Sequence, residues 1–143
     1  MSELDELYQS IILDHNKRPR HYGALTDATH QAEGYNPLCG DKVQVYLKIH
    51  DNRIEDLRFE AASCAICKAS ASMMAQELQG KTLEEAAQRG KRVQLLLSEE
   101  TVASDSDGDL VSLQGVRKFP ARIKCATLPW HTFEDAVGST CKP

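Results

Sequence analysis

Between positions 43 and 59 the chain spells out one face of a sheet. Val43, Val45, Leu47 and Ile49 alternate with polar residues, the period-two pattern that puts every apolar side chain of an extended strand on the same side. His50-Asp51-Asn52-Arg53 supplies a turn, and Leu57 and Phe59 resume the alternation on the way back. Ile54 has the opposite parity from Leu57 and Phe59, which calls for a bulge or a loose strand start there. A hairpin with one apolar face is not stable alone, so the rest of the chain has to cover that face.

The cover is helical. From Ser63 onward the pattern predicts a helix to Leu78, with Ser63 as its cap and Gly80 at its C-terminal end. Thr82-Leu83-Glu84-Glu85 reads as the capping box of another. Pro120 opens a last helix carrying Ile123, Leu128, Phe133 and Val137, and Asp105-Ser106-Asp107-Gly108-Asp109 reads as a polar loop between the two. At the other end, Leu4, Leu7, Ile11 and Ile12 share a helical face, with Ser2 as its cap and Pro19 as its boundary. A further strand is expected within residues 26–35, on a weak pattern. Strands first and helices afterwards predict an α+β fold: a small antiparallel β-sheet of about three strands packed against helices. No repeat or low-complexity linker divides the 143 residues, so 1–143 is expected to be a single domain.

With 41% hydrophobic and 27% charged residues, the chain can bury a core. Its 17 basic residues against 21 acidic ones argue against nucleic acid as a partner, since phosphate contacts need clustered positive charge. No apolar run approaches the ~20 residues of a membrane span, and the start Met1-Ser2-Glu3-Leu4-Asp5-Glu6 is acidic where a secretory signal is basic. The expectation is a cytoplasmic protein without a membrane segment. Five cysteines in a reducing compartment point to metal or thiol chemistry rather than to a disulfide framework.

Cys39-Gly40-Asp41 stands just before the first clear strand, where residues two apart in extended chain face one way. Cys64 stands where the hairpin's second strand ends, beside its partner's beginning. Cys125, in Arg122-Ile123-Lys124-Cys125, opens the last helix. Three thiolates and one carboxylate suit a tetrahedral zinc site. They carry four negative charges against two on the ion, an excess that Lys42, Arg122 and Lys124 adjoin. Cys64-Ala65-Ile66-Cys67 competes as a C-x-x-C redox motif, but that chemistry wants parallel β-α-β units, and helices come only afterwards. Cys67 can equally pack in the core, and Cys141 reads as an exposed thiol. The acidic loop at 105–109 lacks the glycine position and terminal Glu of a calcium loop. The five histidines show no ligand spacing and read as surface or helix-end residues, and Met73-Met74 reads as core.

With these residues in view, the chain resembles the IscU-like (NifU N-terminal-like) iron–sulfur assembly proteins, and within them the SufU branch. Asn36-Pro37-Leu38-Cys39-Gly40-Asp41, Cys64 through Met74, and Phe119 through Leu128 are similar to the family's three cysteine segments, in order. IscU proper usually carries a histidine just before the third cysteine, where this chain has Lys124. It also carries a Leu-Pro-Pro-Val-Lys signal, where this chain has Val116-Arg117-Lys118-Phe119-Pro120. The long interval from Cys64 to Cys125 looks like the SufU insertion. Cys67 is not a usual ligand; it could substitute for one or oxidise onto Cys64. Pro129 removes a helix hydrogen bond to the carbonyl of Cys125.

The resemblance implies a zinc-dependent sulfurtransferase, a sulfur acceptor for a pyridoxal-phosphate cysteine desulfurase of the SufS type, feeding downstream iron–sulfur assembly proteins. Zinc would be held by Cys39, Asp41, Cys64 and Cys125. Cys39 would be the mobile ligand that attacks the persulfide, and Arg122 would steady the thiolates. The alternative is a scaffold holding iron or a transient iron–sulfur cluster on the same cysteines. Behind it stand a zinc-stabilised binding module and a dithiol oxidoreductase.

Overall fold

A computed structural model describes residues 3–98 and 104–138; Ser2 and Cys141, and the roles read for them, lie outside the described residues. The elements run α1 Glu3–Lys17, β1 His30–Asn36, β2 Asp41–His50, β3 Arg53–Ala62, α2 Ala65–Leu78, α3 Leu83–Leu96, a 3-10 segment Asp105–Val116, and α4 Pro120–Val137. The sheet is antiparallel, with β2 in the centre. This is the α+β arrangement expected, with the further strand at residues 30–36.

The hairpin forms where the alternation puts it. Asp51 and Asn52 both take positive φ, +50° and +64°, the twist that a two-residue turn needs to match the twist of its strands. Val45 pairs Phe59 and Leu47 pairs Leu57, but Ile49 pairs Ile54, because the register shifts between Lys48 and Ile49. That bulge absorbs one residue and lets Ile54, Leu57 and Phe59 all reach the core despite their parity. Val43, Val45 and Leu47 have no exposed surface. α4 lies across β1 and β2, and α2 lies on β3. Met73 and Met74 are core residues, as read.

Several expectations shift. α2 is capped by Cys64, whose Sγ accepts the Cys67 N–H, rather than by Ser63; at the other end the helix stops at Leu78 as expected, with Gln79 rather than Gly80 as the C-cap and Gly80 following it at φ +85°. The capping box at Thr82 and Glu85 is present. On α1 the inner stripe is Tyr8, Ile11, Ile12 and His15, while Leu7 is 54% exposed. The expected polar loop is part of a 3-10 segment kinked at Gly108. Two of its acidic side chains serve internal partners, Asp107 binding Arg92 through both carboxylate oxygens and Asp109 binding His15.

His15 lies in the last turn of α1, as a helix-end residue, but it is fully buried. Its Nδ1 lies 2.7 Å from Ser72 Oγ and its Nε2 2.8 Å from Asp109 Oδ2. One imidazole therefore ties α1 to α2 and to the 3-10 segment. Buried polar groups persist where each finds a partner, and here they do.

Candidate metal centre

The site lies where the start of β2 meets the first turns of α2 and α4. Asn36 closes β1 and organises the turn that follows. Its carbonyl accepts the N–H groups of Cys39 and Gly40, and its Oδ1 accepts that of Leu38. Gly40 takes φ +72°, a conformation that L side chains rarely adopt. Cys39 therefore sits on a turn and is exposed, not in extended chain as the spacing implied. Asp41 begins β2 and is 1% exposed. The alternation of the strand turns Lys42 outward, where it faces Glu33 at 3.8 Å instead of offsetting charge at the site.

The hairpin brings Cys64 back to Asp41, as its length implied. The Cys64 N–H donates to Asp41 Oδ1 at 2.9 Å, and its thiol lies 3.7 Å from Asp41 Oδ2. Cys125 arrives from α4 and is buried; its thiol donates to Cys39 Sγ at 3.5 Å and approaches the carbonyl of Ala121 at 3.7 Å. α4 is anchored beside it, since Ser70 Oγ donates to the Ala126 carbonyl at 2.6 Å and accepts the Trp130 Nε1–H at 3.1 Å. α4 continues through Pro129, which has no N–H to offer the carbonyl of Cys125.

One ligand atom each from Cys39, Asp41 and Cys125 lie within 4.8 Å of one another. Cys64 joins this trio at its edge, through Asp41. Sulfurs bound to one tetrahedral zinc at ~2.3 Å stand roughly 3.8 Å apart, so the spacing of these donors fits such an ion. The donor chemistry fits too: thiols with a carboxylate, and a guanidinium beside them. Burial pushes the Cys125 thiol well above the ordinary range, and its neighbours Asp41, Cys39 and Cys64 push the same way. The hydrogen bond to Cys125, with the charges of Cys64 and Cys125, raises Arg122 in turn. Of the three flanking cations read from sequence, Arg122 is the one that interacts with the sulfurs, Lys42 faces Glu33, and Lys124 is exposed on α4.

Cys67 is fully buried one helical turn beyond Cys64, and burial pushes its thiol up to about 12. Sequence reading did not find the clamp of Asp41 on the Cys64 N–H or the Ser70–Trp130 anchor, because both join segments far apart in the chain.

Residues 7–126 match the NifU-like N terminal domain. The chain is 42% identical over 137 residues to the zinc-dependent sulfurtransferase SufU of Bacillus subtilis strain 168, covering 95% of this chain and 92% of that one. It is 38% identical over 138 residues to the iron–sulfur cluster assembly scaffold protein IscU of Streptococcus pyogenes serotype M1, covering 96% and 86%. Its fold superposes on FiSufU of the SUF system from Fervidobacterium islandicum AW-1 with a TM-score of 0.84 at 32% identity, over 92% of this chain and 97% of that one.

Proposed function

The chain belongs to the NifU-like N-terminal domain family, and from that premise we propose that it serves iron–sulfur cluster assembly as a zinc-dependent sulfur acceptor. It takes persulfide sulfur from a pyridoxal-phosphate cysteine desulfurase of the SufS type onto Cys39, in the cytoplasm, and passes it to downstream assembly proteins. The observation that carries this reading is the unequal placing of two neighbouring thiols: Cys39 is exposed on a glycine turn, while Cys125, 3.5 Å away, is buried in a helix.

Cys39, Asp41, Cys64 and Cys125 would hold the zinc. Bound there, zinc favours the thiolate form of its cysteines and fastens the sheet's loop to α4, a clamp of about 10–16 kcal/mol in small structural sites. The remaining work falls to the chain. The Gly40 turn presents Cys39 outward, so a partner's persulfide can meet it without opening the core. Cys39 thiolate attacks the outer sulfur of the donor persulfide; a new S–S bond forms on Cys39, the donor's S–S bond breaks, and the donor cysteine leaves as thiolate. Asp41 stays fixed by the Cys64 N–H throughout. Arg122 compensates negative charge on the sulfurs of Cys125 and Cys64.

Native mass spectrometry of the zinc-loaded protein after incubation with a desulfurase and cysteine tests the reading. One added sulfur mapped to Cys39, on chains that keep zinc, is expected. Zinc retained with no added sulfur would overturn it.

The scaffold reading is favoured by the name of the Streptococcus pyogenes relative, which spans nearly all of this chain. On that reading the same thiols receive iron and sulfide as cargo. Cluster-like visible absorbance after anaerobic reconstitution would support it.

A further inference from the structure

The relay proposed above leaves Cys67 without work. This thiol occupies the third position of α2 and has no exposed surface. Its backbone N–H points at Cys64 Sγ, 3.5 Å away, because Cys64 is the helix cap and folds its side chain back over the first turn. Cys64 is partly exposed, so a reagent from solvent meets it first. Side chains three apart on a helix are neighbours, and a cap side chain that already reaches the third residue's N–H sits close to that residue's own side chain. A disulfide across such a turn closes a very short loop and stays within the separation that a disulfide spans.

We propose that Cys64 and Cys67 form a dithiol site for low-molecular-weight disulfides of the glutathione class, with Cys64 the attacking thiol and Cys67 the resolving one. Cys64 thiolate attacks one sulfur of the reagent, forms a mixed disulfide and releases one reagent thiolate. The Cys67 thiol attacks Cys64 Sγ and passes its proton to the departing reagent sulfur. The mixed disulfide breaks, and the second half of the reagent leaves as a thiol. Two protein thiols are oxidised and one reagent disulfide is reduced to two thiols. A metal held by Cys64 blocks the first attack, so the bound ion protects the pair; this half of the inference rests on Cys64 being a ligand.

The test uses the whole chain, metal-free and zinc-loaded, incubated with oxidised glutathione and then digested with trypsin without reduction. Cleavage after Arg58 and Lys68 isolates Phe59–Lys68, whose two cysteines are Cys64 and Cys67. From the metal-free protein this peptide is expected to emerge lighter by two hydrogens. In Cys67→Ser, or in Cys67→Ala should serine be tolerated poorly inside the core, it is expected to retain one glutathione on Cys64. A wild-type peptide that keeps glutathione, or that is linked to the peptide containing Cys39 or Cys125, would overturn the dithiol. Equal oxidation with and without zinc would leave the dithiol standing, and would overturn the protection and the ligand role of Cys64.

Discussion

The sulfurs of Cys39 and Cys125 lie 3.5 Å apart, although 86 positions separate the two residues, and one is exposed while the other is buried. The asymmetry makes their substitutions separable. Without metal, Cys39→Ala removes little packing and is expected to change stability by less than about 0.5 kcal/mol. Cys125→Ala leaves a small void under α4 and is expected to cost about 1–2 kcal/mol. Urea denaturation in chelator gives both values. Sulfur acceptance should vanish in Cys39→Ala while its denaturation midpoint stays near wild type; a Cys39→Ala chain that still gains sulfur would end the case for that residue.

Asp41 has two tasks, and they respond to different changes. Its Oδ1 accepts the Cys64 N–H and so fixes the start of α2 to the start of β2. Asp41→Asn keeps a carbonyl oxygen for that bond, whereas Asp41→Ala leaves a helix N–H without its acceptor. In metal-free protein the alanine variant should lose about 1–2 kcal/mol and the asparagine variant distinctly less. Zinc affinity, followed by competition with a chromophoric chelator, should fall in both, because both remove the carboxylate charge.

The comparison between sequence and structure turns on how each element announces itself. The β2–β3 hairpin was legible because its apolar residues are large and alternate, and the capping box at Thr82 was legible because it is local. β1 was nearly silent. It alternates too, but its inward residues are Ala32, Gly34 and Asn36, small or polar because α4 lies directly against them. The 3-10 segment read as loop because its acidic residues find their partners, Arg92 and His15, elsewhere in the chain. At the site, residue types and order gave four candidate donors, of which Cys39, Asp41 and Cys125 cluster directly and Cys64 stands at the edge beside Asp41. The turn that lifts Cys39 to the surface depends on bonds from Asn36, and no spacing rule encodes them.

Acid should loosen the 3-10 segment. Asp107 is fully buried, and its hydrogen bonds from Arg92 hold its carboxyl below the ordinary 3.8. At Asp109, burial pushes upward, but the hydrogen bonds from His15 and Gln76 outweigh it and the result is again lowered. The unfolded chain thus takes up these protons at higher pH than the folded one. The stabilisation is complete above about pH 4 and is lost as pH falls through the lower folded values. Asp107→Asn should cost about 1–3 kcal/mol at neutral pH. Below pH 4 its stability should fall less steeply than that of wild type in urea titrations, and parallel pH profiles would contradict the assignment.

The seat of α4 on β1 is set by one hydrogen atom. A Cβ added to Gly34 would fall on Thr132 Oγ1, with Leu128 Cδ1 at 3.2 Å. Thr132 is 1% exposed and its hydroxyl donates to the Leu128 carbonyl at 2.8 Å, so it has no free space to turn into. Gly34→Ala should therefore push α4 away from the sheet and cost about 1–3 kcal/mol. Thr132→Ala removes the obstructing oxygen at a smaller cost of its own, and the double variant should be more stable than the two single losses added together predict. A double-mutant cycle by thermal denaturation measures that coupling, expected at about 1–2 kcal/mol in the rescuing direction. Because Cys125 rides on the same helix, Gly34→Ala should also weaken zinc binding, and Thr132→Ala should restore it. Strict additivity in stability, with zinc affinity unchanged, would mean that the contact between β1 and α4 does not set the position of the third cysteine.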